Sequence, residues 1–474
     1  MTSPAEVPAG RGGNLVALVV MQAFRMASGL LINVMVMRGL GVEGFGVYGY
    51  VLTLVGLTSF ASNMGMERLL KREIARDETR AGPMVATGLA ATALLSLATG
   101  VFIVVWTLLV DGRAEVVGAG ALAAVALAIQ SIALVPVSAF HAVRRMGLGV
   151  GPNAVGRVVL VLATAAFLWA ELGVMAVFAA QILDATLTLI IVWRVYVQRI
   201  GTAGMRTAWS DVVDLVRTSV PFGLNALFVS IYLGVDVLLL GLMRDDTEVG
   251  IYRGAVMLLS LFPVVADTLS TGLYPRMARH LGHPDRAGAE MRFAARILLA
   301  ISIPAAVGGV LTAEPVMVFL GGPAFAVSAL PFMIMAPLLP LRYLNNGFGM
   351  ALSALDQQED RTRGAILAAV VNVGLNLVMI PRYGAVGAAA VTLATEVFLI
   401  GFMAWRLLPR ITSLHLGETL LRVGVPAAVM AGVIAVLPPT HVLVTIAAGV
   451  GVYAVGALAT GALRRTDLRD LRSV

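Results

Sequence analysis

Apolar stretches of about 18 to 25 residues, nearly free of charge, recur along the whole chain, and that recurrence decides the fold class first. A helix of that length covers ~30 Å of hydrocarbon, and within lipid each segment has to satisfy its own backbone hydrogen bonds. Leu, Ala, Val, Gly and Met fill the stretches continuously. The alternating segments of roughly ten residues that build a membrane β-barrel are absent. The sequence therefore predicts an all-α polytopic membrane protein. Of the 474 residues, 59% are hydrophobic and only 13% are charged, against about 25% charged in a soluble chain. Such a chain has too little polar surface to face water.

About fourteen spans are expected, near 14–38, 45–63, 83–110, 115–140, 152–170, 173–196, 218–241, 249–273, 293–312, 326–352, 364–381, 384–408, 418–437 and 440–462. Basic residues near span ends stay on the cytoplasmic side. With the N-terminus inside, 26 of the 34 Lys and Arg residues fall on inner segments. Only Arg38, Arg113, Arg244, Arg253 and Arg382 fall outside, while Arg25, Arg157 and Arg342 lie within or at the edge of spans. An odd number of spans would scramble that asymmetry, so both termini are expected in the cytoplasm. Residues 1–13 form a short cytoplasmic leader, and the first span is too long for a cleaved signal core.

A weak internal repeat appears at an offset of about 206 residues. Arg38 with Gly46-Val47-Tyr48 matches Arg244 with Gly250-Ile251-Tyr252, and Glu171-Leu172-Gly173-Val174 stands where Arg382-Tyr383-Gly384-Ala385 stands. Six spans per copy run the same way through the membrane, so the copies are expected to be related by a pseudo-twofold along its normal. The expected organisation is an N-lobe at 14–196, a cytoplasmic linker at 197–217, a C-lobe at 218–408, two further spans at 409–462 and a cytoplasmic tail at 463–474. In the linker, Trp209, Val212, Val213 and Val216 read either as the apolar face of a helix on the membrane surface or as part of a plain tether.

An ionisable side chain at mid-bilayer costs about 2.5 to 3.5 kcal/mol on the insertion scale, so it faces a cavity or a partner. Arg25 sits near the centre of span one, with Gln22, Gly29 and Asn33 on its face. Pro221, Asn225, Tyr232 and Asp236 form a stripe on span seven. Span eight adds Arg253 and Asp267, while Asp184, Arg342 and Glu396 belong to spans six, ten and twelve. Each reads as cavity-lining or as half of a structural ion pair between helices. Asn372 and Asn376 share a face of span eleven and read as interhelical glue. A guanidinium in a membrane cavity suits an anionic group, phosphate above all. A carrier of cationic drugs should instead present carboxylates.

Catalytic and nucleic-acid roles find no support. No histidine has a metal-ligand partner four residues on, and no P-loop is present. The net charge of +7 is not concentrated on a water-exposed domain, as a nucleic-acid surface requires. With no cysteine, thiolate metal sites and a cysteine nucleophile are excluded. No cofactor is expected.

Several ordered segments resemble the polysaccharide transporters of the multidrug/oligosaccharidyl-lipid/polysaccharide exporter superfamily, the Wzx-like flippases. They are Arg38-Gly39-Leu40-Gly41 through Tyr48, Asp236 through Gly241 with Val249-Gly250-Ile251-Tyr252, Tyr274-Pro275-Arg276-Met277-Ala278, and Asn372 through Asn376 with Ile380-Pro381-Arg382-Tyr383-Gly384 and Gly387-Ala388-Ala389. The resemblance implies two six-helix bundles that open alternately to either side of a bacterial plasma membrane. Its substrate would be undecaprenyl diphosphate bearing a short glycan, carried to the outer leaflet for surface polysaccharide synthesis. Arg25, Arg253, Gln22, Asn33, Asn225, Tyr232 and Arg342 would then contact substrate, with Asp236, Asp267, Asp184 and Glu396 as candidates for Na⁺ or H⁺ coupling. Membrane lipids, a polysaccharide polymerase and glycosyltransferases would be its partners. The alternatives are a lipid II flippase and a cation-coupled small-solute or drug antiporter. A major facilitator is disfavoured because Gly65 to Arg76 lacks that family's Asp-Arg-x-Gly-Arg pattern.

Overall fold

The computed structural model describes residues 11–260, 262, 279, 284–411, 414, 416–438 and 441–463. Among them no strand occurs, and apolar helices dominate because only a helix satisfies its own backbone groups in lipid. The chain divides into two compact units, Met1–Leu238 and Leu239–Val474. The division falls inside expected span seven and not in the 197–217 linker.

The first unit holds α1 (Arg11–Asn63), α2 (Met66–Arg76), α3 (Ala81–Val110), α4 (Ala114–Ala142), α5 (Val150–Trp169), α6 (Gly173–Arg199) and most of α7 (Trp209–Met243). α1 contains two expected spans. Its backbone leaves helical geometry at Gly41, with φ 69° and ψ −170°, a left-handed φ that a side chain would strain. The second unit holds α8 (Asp246–Leu259), α9 (Pro284–Leu311), α10 (Ala313–Gly321), α11 (Ala329–Met335), α12 (Leu338–Ala354), α13 (Gln358–Leu407), α14 (Leu416–Val436) and α15 (Val442–Ala459). α13 likewise joins two expected spans, at Gly384 (φ 52°, ψ −132°).

Among the described residues nine helices are long and apolar enough to cross a membrane, or eleven when each of two bent pairs is taken as one span. The expected fourteen is not reached on that measure, for physical reasons. Gly41 and Gly384 let paired spans run together as single long helices. Expected span eight passes out of the described residues after Ser260. Span ten is bent by 44° between its halves, where Pro337 brings no N–H to the ladder.

Two segments expected as loop or tether are ordered helix. The stretch after Gly65 forms α2, which buries Met66, Leu69, Leu70 and Ile74 against Val85 of α3, Ala139 and Phe140 of α4 and Tyr196 of α6. Its charged residues point the other way, an amphipathic pattern at spacings of three and four. The expected surface helix at Trp209 continues directly into α7. Val212 and Leu215 enter the same core and Val216 packs on it, while Trp209 and Val213 are exposed. Two of the four residues expected on one apolar face thus pack inward and two face out.

Corresponding local features recur in the two units. Tyr48 packs its ring 5.4 Å from that of Phe178 on α6, and Tyr252 shares a 2.9 Å hydrogen bond with Thr392 of α13. Gly173, which opens α6, and Gly384 both have positive φ. In the second unit Arg244 donates to the carbonyls of Ile380 (3.2 Å) and Pro381 (2.6 Å), while Glu248 accepts from the Ala385 amide at 2.7 Å. That clamp occupies the space a side chain at Gly384 would need, since a Cβ there would lie 2.5 Å from a Glu248 carboxylate oxygen. α14 and α15 pack on α9 through Val423, Ala427, Met430 and Tyr453, whose hydroxyl donates to the Ala300 carbonyl at 2.7 Å.

Gly384→Ala is expected to cost about 1 to 3 kcal/mol through backbone strain and displacement of Glu248. Gly374→Ala, with no atom within 4 Å of its new methyl, should leave stability unchanged or raised. Melting temperatures of the two variants in one detergent check the contrast.

Candidate substrate cavity in the first unit

The first unit encloses a cavity of about 290 Å³ among α1, α4, α5 and α6. Its polar lining is Arg25 from α1, Gln130 from α4, Asn153 and Arg157 from α5, and Asp184 and Thr188 from α6. On α5, Asn153 and Arg157 are four residues apart, as are Asp184 and Thr188 on α6, so each helix presents one polar face. Apolar walls come from Met21, Ala133, Leu134, Val137 and Ala185.

The cavity is built by close helix approach at Gly156. A Cβ there would stand 2.3 Å from Asp184 Oδ1 and 2.2 Å from Thr188 Oγ1, so any larger residue has to push both side chains aside. Thr188 donates to Asp184 Oδ1 at 3.3 Å, and the Asn153 amide donates to the Gly149 carbonyl at 2.7 Å. Arg157 and Asp184 are half-buried, while Arg25 is exposed. Two guanidiniums and one carboxylate leave this lining net positive at neutral pH.

The structure brings Arg25 and Asp184 together but leaves the rest of the expected α1 face out of this cavity. Gln22 is exposed, and the half-buried Asn33 turns its amide back to the Gly29 carbonyl at 2.8 Å. Arg342 and Glu396 meet in the second unit as an ion pair, Nε to Oε2 3.3 Å, with Asn345 also donating to the buried carboxylate. This is the structural pairing weighed for them as spans ten and twelve. Asp236 is buried on α7, Tyr232 is half-buried one turn before it, and Arg253 is half-buried on α8. The side chain of Asn225 and the whole of Asp267 lie outside the described residues, as does the segment Tyr274 to Ala278. Asn372 donates to Thr395 across the two halves of α13 at 3.4 Å and accepts from Asn376 at 3.0 Å, the interhelical glue expected of that pair.

Sequence reasoning missed Arg157, Asn153 and Gln130. Arg157 lies inside span five and carries the same mid-membrane cost as Arg25. Its four-residue spacing from Asn153 was the signal that could have found it.

These features define an all-helical, multi-pass membrane protein with a charged cavity among its helices. Residues 12–281 match the polysaccharide biosynthesis protein family, and residues 221–378 match the MatE family. The first match takes in more than half of the chain, which therefore belongs to the polysaccharide biosynthesis protein family. A probable low-salt glycan biosynthesis flippase of Haloferax volcanii is 21% identical over 360 residues, covering 75% of this chain and 74% of that protein. A second probable flippase of that organism is 25% identical over 256 residues, or 51% and 53% of the two chains. The fold is similar to that of the lipid II flippase MurJ in an inward closed conformation, with a TM-score of 0.77 at 12% identity over 93% of this chain and 98% of that one. An inward-facing multidrug resistance MATE family transporter of the MOP superfamily gives 0.63 at 15% identity, over 80% and 94%.

Gly156→Ala is expected to destabilise the protein by about 1 to 3 kcal/mol by pushing Asp184 and Thr188 out of place. Adding Thr188→Ala should return part of that loss. A double-mutant cycle on unfolding in detergent reads the coupling, and strict additivity would contradict the contact.

Proposed function

We propose that this protein flips a lipid-linked oligosaccharide, glycan attached to undecaprenyl diphosphate, from the cytoplasmic to the outer leaflet for surface polysaccharide synthesis. The observation that carries this reading is the net positive cavity in which Arg25 and Arg157 stand with Asp184. Guanidiniums grip phosphate oxygens by paired, charge-assisted hydrogen bonds, and the contacts strengthen where water is scarce. A volume near 290 Å³ lies at the small end of ligand pockets, about 300 Å³. It suits a diphosphate and not an entire glycan. The name of the first Haloferax relative supports the glycan class. Both are archaeal. The cavity addresses phosphate and not prenyl length, so the carrier lipid follows the host membrane.

Transport proceeds by alternating access between an N-lobe at 14–196 and a C-lobe at 218–408. The membrane is a bacterial plasma membrane, with both termini in the cytoplasm. Arg253, Gln22, Asn33, Asn225 and Tyr232 complete the substrate path, while Arg342 is held by Glu396. Asp184 couples the cycle to H⁺ or Na⁺: an arriving diphosphate competes with its carboxylate for the same guanidiniums, and cation uptake relieves the repulsion. Asp236 and Asp267 are further coupling sites. Glycosyltransferases supply the substrate and a polymerase consumes it.

In a strain without a redundant carrier, deletion is expected to trap lipid-linked glycan on the inner leaflet and abolish the surface polysaccharide. Arg25→Ala and Arg157→Ala should each cut transport roughly tenfold or more, the worth of a charge-assisted hydrogen bond, with wild-type abundance in the membrane. Asp184→Asn should remove the dependence on the ion gradient. Unchanged surface polysaccharide would overturn the proposal. Lysis on depletion would point instead to lipid II, and efflux of cationic dyes to a drug antiporter.

A further inference from the structure

α13 doubles back at Gly384, and its two ends meet within the second unit. Arg406, near the end of the second half, binds the buried Asp360 at the start of the first at 2.6 Å, and Arg410, just past the helix, reaches the same carboxylate at 3.6 Å. Beside that junction lies a groove of about 410 Å³. Asp360, Arg363 and Arg406 line its charged end, and Ile366, Leu367, Phe402 and Trp405 form its walls. It shares no residue with the cavity of Arg25.

The charges at this end do not cancel. Arg363 pairs with Glu359 at 2.6 Å, with the two side chains 60% and 78% exposed, and Arg410 also donates to Gln357 at 3.1 Å. Three guanidiniums, Arg363, Arg406 and Arg410, thus answer two carboxylates, Glu359 and Asp360, and one positive charge is left over. Asp356 and Arg361 lie outside the lining and offset each other, Arg361 turning to Ser353 at 3.3 Å. An ion pair as exposed as Glu359 with Arg363 is weak, so an arriving anion can take Arg363 from it. The Arg406 guanidinium stands over the Trp405 ring, 5.2 Å from its centroid, which holds it at the groove without using its hydrogen-bond donors.

Away from the charges the groove turns apolar. Arg363, Ile366, Leu367 and Val370 follow one another at spacings that share a helix face, as do Phe398, Phe402 and Trp405 on the other half. Val370 and Trp405 are each 65% exposed. Arg363, Trp405 and Arg406 stand at the ends of their expected spans, at headgroup level, on the face expected to be cytoplasmic, where anionic lipids concentrate. A soluble anion would make no use of the apolar walls, and a neutral lipid would make none of the surplus charge. An amphiphile with a negative headgroup uses both.

We propose that this groove binds an anionic glycerophospholipid, its phosphate at Arg363 and Arg406 and an acyl chain along Leu367, Val370 and Phe402, so that one lipid holds the two halves of α13 together at that face. Intact-mass spectrometry of the full-length protein released from phosphatidylcholine nanodiscs containing phosphatidylglycerol tests this by counting bound lipid as the phosphatidylglycerol content rises. Arg363→Gln should weaken the affinity for phosphatidylglycerol by about fivefold, or ~1 kcal/mol for one arginine. Glu359→Gln, which releases Arg363 from its competing carboxylate, should strengthen it by about twofold. Arg361→Gln removes the same charge two residues away, outside the groove, and should leave the affinity unchanged. Melting temperatures in phosphatidylcholine alone verify that the variants are folded. If Arg363→Gln is not, the gain in Glu359→Gln against the unchanged Arg361→Gln carries the test.

Competition identifies the occupant. Inorganic phosphate and polyprenyl phosphate, at the concentration of the phosphatidylglycerol, should leave that lipid bound. An affinity untouched by Arg363→Gln, an equal loss in Arg361→Gln, no gain in Glu359→Gln, equal binding of phosphatidylcholine, displacement by inorganic phosphate, or preferential binding of polyprenyl phosphate would each overturn the proposal.

Discussion

A guanidinium placed in hydrocarbon has to find a carboxylate, reach water or leave the layer, and the polar architecture of this protein follows from that requirement. Arg342, itself partly exposed, takes the first solution and pairs with the buried Glu396, with Asn345 on the same carboxylate. Arg25 and Arg157 take the second, sharing one carboxylate in a cavity large enough for water. The two arrangements have different consequences. A closed pair fixes α12 against α13, while an under-compensated group of charges creates a place where an anion is welcome.

The helix packing that supports these charges rests on small residues and on hydrogen bonds between helices. Lipid is as apolar as the side chains, so burial of grease alone does little to hold membrane helices together. Gly156 lets α5 meet α6 at the cavity wall, and Ser62 on α1 bonds Ser131 on α4 at 3.0 Å within the first unit. Tyr453 ties α15 to the backbone of α9. Where the chain has to break, glycine takes the left-handed φ that other residues resist, at Gly41 and Gly384. In the second case the Arg244 and Glu248 side chains hold both sides of the break.

Much of the fold was legible in the sequence because hydrocarbon leaves few options: apolar runs of the right length have to be helices. The places where the reading fell short are those where a different period carried the signal. Residues 66–76 looked like a charged loop by composition, yet Met66, Leu69, Leu70 and Ile74 already marked one face of α2. The breaks inside α1 and α13 were placed correctly between spans, but it was not legible that one glycine turn, with no stretch of polar loop, makes each of them, at Gly41 and Gly384. At the site, Arg25 and Asp184 could be singled out from their cost in a membrane. That they meet, and that Arg157 joins them, depends on which faces of α1, α5 and α6 turn toward one another. A single sequence does not state that, although the four-residue step from Asn153 to Arg157 pointed to it. Likewise Arg342 and Glu396 were each visible, but their pairing required the fold.

The chain contains no native cysteine, so one engineered thiol can report on the cavity without background. Leu134→Cys, on the wall beside Arg25 and Arg157, labelled with a membrane-impermeant anionic thiol reagent in reconstituted protein, tests the central claim that this space is wet and receives phosphate. The account predicts rapid labelling that a short-chain prenyl diphosphate suppresses and the corresponding prenyl alcohol does not. A thiol that never reacts, or one that both compounds protect equally, would contradict it.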